Sequence, residues 1–372
     1  MMRDYSNDRR AVLTLDAGGT NFVFSAMQAN GAVVESFALP AEAGDLEESL
    51  GNMFRGFELV MGSLDAAPCA ISFAFPAPAD YFNGIIVGPR NLPAYKNVPL
   101  RAILEDRFSL PVFINNDGDL FTYGEAASGL LPHVNGLLEQ AGSPKRFRNL
   151  FGVTLGTGLG GGIVRDGELY TGDNSVAGEI WILRHKHDLE LNAEEGASIR
   201  AVRRVYAELS GIGFEEAPEP KVIYDIAKGR AEGNAYAARE AFRKMGEIAG
   251  DAIANASTLL DALVVVGGGV SGAHSQFLPA IVNEMNSTYL APNGERFRRL
   301  IPRAFNLEDP AQLEQFLRGE TTELAVPYSK RTLRFDGLQR TGVGITRLGT
   351  SEATSIGAYA FALNRLDRSE AV

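Results

Sequence analysis

A chain of 372 residues carries too much material for a single hydrophobic core, which predicts two domains with a ligand in the cleft between them. Hydrophobic residues at 45% and charged residues at 22% are ordinary for a soluble globular protein and exclude a disordered class. A formal net charge of −11 speaks against a nucleic-acid partner, and the single cysteine, Cys69, excludes an intrachain disulfide and a cysteine-built zinc site. That cysteine usage points to a reducing, cytoplasmic setting. No apolar run has the length of a membrane helix, and the first ten residues read as a short frayed leader.

Residues 12–31 read VLTLDAGGTNFVFSAMQANG: an apolar run, Gly18-Gly19-Thr20, a second apolar run and an Asn30-Gly31 turn. The order is that of a strand, a glycine turn and a returning strand. Residues 41–64 carry apolar positions at helical spacing behind Asp45, a crossover helix, and residues 69–75 are a buried strand ended by Pro76 and Pro78. The prolines and Asn91 of residues 84–100 build an ordered loop. A helix over 100–108 leads to a short strand, 111–114, whose end delivers Asn115, Asn116, Asp117, Gly118 and Asp119. Open α/β sheets bind ligands at such carboxyl ends. A calcium loop is excluded, because Phe121 stands where an oxygen ligand is needed and Ser128 where an acidic residue is needed. Capping or catalysis both remain open for Asn116 and Asp117.

A helix over 120–128 precedes residues 149–172, NLFGVTLGTGLGGGIVRDGELYTG, which repeat the layout of the first hairpin with Gly156-Thr157-Gly158 at the turn. Crowded glycine N–H groups form an anion nest, with the Thr157 hydroxyl as an added donor. Two such hairpins suggest a two-lobed protein gripping a polyphosphate. His185 and His187 lack a third ligand at metal spacing and read as an exposed polar face. Helices over 194–209, 223–228 and 235–260 lead to a buried strand, 262–269, that ends in Gly267-Gly268-Gly269. The pattern loosens from about 293 to 349, with a helix over 311–317 and a strand candidate over 330–335. A small-residue helix over 354–366 closes the chain.

The segments LDAGGTN at 15–21, NLPAYKNVPL at 91–100, INND at 114–117, LGTGLGGGIV at 155–164, AGEI at 177–180, VVVGGGV at 264–270 and SIGAYAFAL at 355–363 resemble the ROK family (repressor, open reading frame, kinase), particularly its glucokinase-like sugar kinases. The resemblance implies an α/β protein of the actin-like ATPase (ribonuclease-H-like) fold, two α/β lobes closing on sugar and ATP. The expected lobes are 1–117, completed by the C-terminal helix 350–372, and 118–349. It further implies that Asp117 is the general base, with Asn91, Asn116, Glu179 and Glu194 binding sugar. Gly18, Gly19 and Thr20 would form the first phosphate loop, and Asp16 would help place Mg²⁺. Gly156, Thr157 and Gly158 would form the second phosphate loop, and Gly267, Gly268 and Gly269 the adenosine-side loop.

Two departures stand out. Ile182 occupies the place of the family's sugar- and zinc-binding histidine, and the cysteine-rich zinc motif is absent, so no structural zinc is expected. The expected activity is transfer of the γ-phosphoryl of ATP to a hexose or N-acetylhexosamine hydroxyl, in a homodimer without membrane or nucleic-acid partner. The alternatives are a sugar-binding transcriptional regulator of the same family and a catalytically degenerate sugar-binding protein.

Overall fold

The computed structural model describes residues 3–369, which fall into two compact units. One unit comprises the chain up to Gly129, Gly162–Gly178 and the chain from Ser351; the other comprises Leu130–Gly161 and Glu179–Thr350.

The first unit opens with β1 (Val12–Ala17), against which β2 (Asn21–Gln28) returns antiparallel; β3 (Gly31–Ala32) and β4 (Phe37–Pro40) both pair with β2. Helix α1 (Leu46–Gly62) then crosses to β5 (Ala70–Ala74). Asp45 starts α1 by accepting the Glu48 N–H at 3.0 Å, and Met53, Phe57 and Val60 form its buried stripe. Gly56 leaves room for the Phe24 ring, which meets Phe57 edge-on at 5.3 Å. A two-residue ribbon, β6 (Ala79–Asp80) with β7 (Ile85–Ile86), and α2 (Leu100–Phe108) lead to β8 (Val112–Asn115) and α3 (Asp117–Ala127). The sheet order is β3-β2-β1-β5-β8, with β1, β5 and β8 parallel, as helical crossovers require. Register aligns Asp16 with Ala74, and Ala74 with Asn115, so these three stand side by side at the carboxyl ends of their strands.

The second unit contains α4 (Leu130–Gln140) and β9 (Leu150–Leu155). Strand β10 (Leu159–Arg165) begins in it, and the rest of β10 pairs with β11 (Glu168–Leu169) in the first unit. Helices α5 (Ile199–Ser210), α6 (Pro220–Ala227) and α7 (Ala235–Leu260) precede β12 (Leu263–Gly267). Then come α8 (His274–Met285), the ribbon β13 (Thr288–Leu290) with β14 (Arg296–Arg298), and β15 (Arg303–Asn306). Helix α9 (Pro310–Arg318), the ribbon β16 (Thr321–Ala325) with β17 (Thr332–Asp336), and β18 (Arg340–Ile345) complete the unit. Strands β9, β12, β18 and β15 are parallel neighbours in that order, and every residue of β12 is buried. Gly246 and Gly250 bring α7 against α8: a Cβ on Gly250 would lie 2.8 Å from the Ile281 carbonyl oxygen.

The chain ends in α10 (Thr350–Ser369), whose Gly357 meets the backbone of α3 and whose Ala353 carbonyl meets Gly124 of α3. A side chain on either glycine would fall on the other helix's backbone. Compactness therefore groups α3 with the strand it follows, whereas the sequence-based lobes divide at 117/118.

Three local expectations are corrected. The leader is tied down: Tyr5 is buried and its hydroxyl donates to Asp367 of α10 at 3.1 Å, where Arg3 and Arg10 also pair at 2.7 Å each. Helix α3 starts at Asp117 instead of 120, because Asn116 caps it. The 293–349 stretch is built rather than loose, and it holds the buried strand β18. Among the described residues no helix is long and apolar enough to cross a membrane.

Candidate active site

In the first unit the expected residues gather at the carboxyl ends of β1 and β8. Asn116 accepts the Gly118 N–H through Oδ1 at 2.8 Å, and Asp117 Oδ1 takes the same N–H at 2.8 Å. The chain thus turns from strand to helix with the Asp117 carboxylate exposed at a helix N-terminus, whose partial positive charge favours an anion there. Asp16 keeps an accessible side chain, yet its carboxyl is pushed up, first by desolvation and then by the negative charge of Asp117.

The first glycine turn lies beside this pair. A Cβ on Gly19 would sit 3.0 Å from both Cβ and the carbonyl oxygen of Asn91, so glycine is what lets the Asn91 loop approach the turn. That loop is fastened by buried Leu92, Tyr95 and Val98, and Tyr95 shares a 2.8 Å hydrogen bond with buried Ser49. Asp16, Gly18, Gly19, Thr20, Asn91, Asn116 and Asp117 all belong to this one unit.

In the second unit the two glycine loops stand at the ends of neighbouring parallel strands. Gly267 pairs with Thr154 in register, and a Cβ on Gly156 would lie 3.8 Å from the Gly269 nitrogen. Gly268 has φ +92° and crosses Leu155 so closely that a Cβ would lie 2.6 Å from the Leu155 nitrogen, so only glycine fits. Its N–H donates to the Thr350 hydroxyl at 2.8 Å. The expected nest is smaller than the sequence suggested, because the Gly156 N–H turns inward to the Gly158 carbonyl at 3.0 Å.

Glu194 joins the second loop. Its Oε2 accepts the Leu159 N–H at 3.0 Å and its Oε1 accepts from Arg200 at 3.1 Å, while Arg200 also donates to the Thr157 carbonyl at 3.3 Å. Glu179 is half-buried, and its carboxylate takes the indole N–H of Trp181; Ile182, in the place of the family histidine, is exposed.

The His185–His187 stretch is a loop, and Lys186 fastens it by pairing with Glu247 at 2.6 Å and Glu284 at 2.7 Å. Burial, then neighbouring His187, push His185 down. No group of three or more His, Cys, Asp or Glu residues that could hold a metal ion occurs among the described residues.

Sequence reasoning missed Arg200, Thr350 and Trp181. Arg200 gave no periodic signal, since its acidic partners lie five and six residues upstream, outside the helix that carries it. The available signal was the acidic pair Glu194-Glu195 a few residues before the arginine.

The family model described as "ROK family" matches residues 12–312. The chain is 30% identical over 272 residues to an N-acetyl-D-glucosamine kinase of Vibrio cholerae, covering 69% of this chain and 83% of that one. A crystal structure of a glucokinase from Parabacteroides distasonis superposes with a TM-score of 0.90 at 49% identity, covering 97% of this chain and 99% of that one. A ROK family transcriptional regulator, a homologue of the E. coli MLC protein, is similar at a TM-score of 0.65 and 18% identity, with 94% of this chain and 78% of that one covered.

Proposed function

The chain belongs to the ROK family and has its actin-like ATPase (ribonuclease-H-like) fold, and from that premise we propose that it is an ATP-dependent kinase acting on a hexose or N-acetylhexosamine. The observation that carries the reading is the exposed Asp117 carboxylate at the end of β8, held at the capped start of α3 beside Asp16. Names among relatives and structural neighbours include both N-acetylglucosamine kinase and glucokinase, which supports the substrate class without choosing within it.

Asp117 accepts the proton of the attacking sugar hydroxyl, a primary one, and Asn91, Asn116 and Glu179 hold the sugar through its other hydroxyls. A positioned carboxylate base contributes roughly a hundred- to ten-thousand-fold. The glycine turns at 18–20 and 156–158 hold the ATP phosphates by backbone N–H groups, with Thr20 and Thr157 adding hydroxyls, and Gly267–Gly269 lie on the adenosine side. Phosphoryl transfer depends mainly on such alignment and on neutralised phosphate oxygens.

Magnesium fits this residue set. Mg²⁺ takes one or two carboxylates together with waters and substrate phosphates rather than an all-protein cage, and the accessible Asp16 carboxylate at the end of β1 would be its protein anchor, leaving Asp117 as base. When bound, the ion supplies charge neutralisation at the phosphates. Homodimerisation and a cytoplasmic setting belong to the same proposal, the first tested by sedimentation velocity.

An ATP-consumption screen over hexoses and N-acetylhexosamines tests the reading; turnover with one of them is expected. The Trp181 indole on Glu179, with Ile182 at the histidine position, favours one second reading: a protein that binds sugar without turning it over. Sugar binding with no phosphorylation across the panel would establish it instead.

A further inference from the structure

We infer that Lys186 is a positioning residue for the sugar: its two ion pairs anchor the 183–193 excursion, and through it the Glu179 turn at the base. The inference deepens the kinase reading, in which Glu179 holds a sugar hydroxyl, and rests on it.

Between Glu179 and Gly196 the chain forms only two short 3-10 turns, Ile180–Ile182 and Ala193–Glu195. Backbone this irregular gains little from its own hydrogen bonds, so its position has to be fixed by what it touches. The excursion closes on itself at its base. The Ala193 N–H donates to the Leu183 carbonyl at 2.7 Å, the His185 N–H to the Leu191 carbonyl at 3.0 Å, and the Leu183 N–H to the Ile180 carbonyl at 3.1 Å. Glu179 belongs to the same knot: its carbonyl accepts the Ile182 N–H at 3.4 Å and its carboxylate takes the Trp181 indole N–H. Whatever holds the excursion therefore orients the Glu179 turn.

Lys186 ties that knot to two helices at once. Its Nζ donates to Glu247 of α7 at 2.6 Å and to Glu284 of α8 at 2.7 Å, and the side chain is half-buried, where salt screens a pair less than at the surface. The other tether, His187 to Glu247 at 3.2 Å, is exposed and correspondingly weak. Each carboxylate has a second cation, Arg243 on Glu247 at 3.1 Å and Arg299 on Glu284, and Arg299 also pairs with Asp251 at 2.7 Å. Removing the ammonium thus leaves α7 and α8 neutralised and packed, and frees the excursion alone. Glu194 keeps its own ties to Leu159 and Arg200, so the second glycine turn stays where it is. Sugar and nucleotide should therefore respond differently.

The test compares Lys186→Met and Lys186→Arg with the parent, by the KM of each substrate, by separate calorimetric titrations of sugar and Mg-ATP, and by thermal melts. Lys186→Met should raise the sugar KM and Kd about ten-fold, with ATP constants within about two-fold and the melting midpoint within about 2 °C. Lys186→Arg keeps the charge and should recover most of the loss. Glu247→Gln removes one of the two ties and should raise the sugar KM about three-fold, and adding it to Lys186→Met should cost nothing further. Trp181 is the only tryptophan in the chain, so its fluorescence reports the Glu179 turn directly. In Lys186→Met its emission should shift to the red and its anisotropy fall, whereas Lys186→Arg should keep the parent spectrum. Unchanged sugar constants, or an unchanged Trp181 signal, overturn the inference. So does equal weakening of sugar and ATP with a lowered melting midpoint, the mark of a merely structural lysine. A parent protein that binds sugar without turning it over defeats the kinase reading instead, and the sugar Kd and Trp181 emission still decide the inference. A parent that binds no sugar at all defeats both.

Discussion

The two glycine hairpins share a layout in sequence and differ in what surrounds their turns. The turn between β1 and β2 has the Asn91 loop packed on Gly19, and just before it the Asp16 carboxyl is pushed up by burial and then by the charge of Asp117. The turn between β9 and β10 has a carboxylate nearby too, but Glu194 is already bound by Leu159 and Arg200. On the proposed kinase reading, one motif serves charge and proton chemistry and the other holds. The lesson is that a glycine turn supplies only an approachable backbone; the side chains brought to it by the rest of the fold decide its use.

The contrast is most sharply broken at Asp117. Asp117→Asn should lower kcat by roughly a hundred- to ten-thousand-fold, with sugar affinity by calorimetry unchanged. Near-full activity in that variant would move the base elsewhere. Next comes a matched pair of turn substitutions. Gly19→Ala meets the Asn91 backbone and should raise the sugar KM about ten-fold through displacement of that loop. Gly156→Ala, whose nearest neighbour would stand 3.8 Å away, should leave both substrates within about two-fold. Equal effects at the two sites would erase the difference drawn between the hairpins. Smaller still, Thr157→Val removes one hydroxyl donor and should raise the ATP KM about three-fold, with the sugar KM unmoved in the same steady-state assay.

The smallest effect on activity and a clear one on stability belongs to the N-terminal latch. Hydrogen bonds from Arg10 hold Asp8 below the usual carboxylate range. Asp367 is held low as well: burial opposes this, and the bonds from Arg10 and Tyr5 outweigh it. Depressed carboxylates contribute stability that is present above their unfolded pKa of about 4 and lost as pH falls through the folded value. Arg10→Ala should therefore cost about 1–2 kcal/mol at neutral pH, and the gap to the parent in urea melts should close below pH 4. A gap that persists in acid would show that the latch acts through packing alone.

Much of the fold was legible in sequence for local reasons. The run 150–155 could only be a strand before its glycines, and the stripe of Met53, Phe57 and Val60 could only be a buried helix face. Asn116 before two acidic residues left capping and catalysis both open, and the structure shows the cap, with α3 starting three residues earlier than expected. Strand β18 was missed because Gly342 and Gly344 interrupt its apolar pattern. Their purpose is long-range: side chains there would meet Leu307 and Leu130 at 2.7 and 2.8 Å. The same holds for the leader, which binds a helix more than three hundred residues away.

By itself the sequence determined the paired strand–glycine–strand hairpins, the acidic turn after β8 and the alternation of helix and strand, because backbone propensity and side-chain period act over a few residues. Tertiary structure alone decided that Asp16 feels the charge of Asp117, that Gly19 makes room for Asn91, and that Glu194 and Arg200 close on the second turn. Those pairings depend on through-space distances between residues remote or irregularly spaced in the chain, which no local preference encodes.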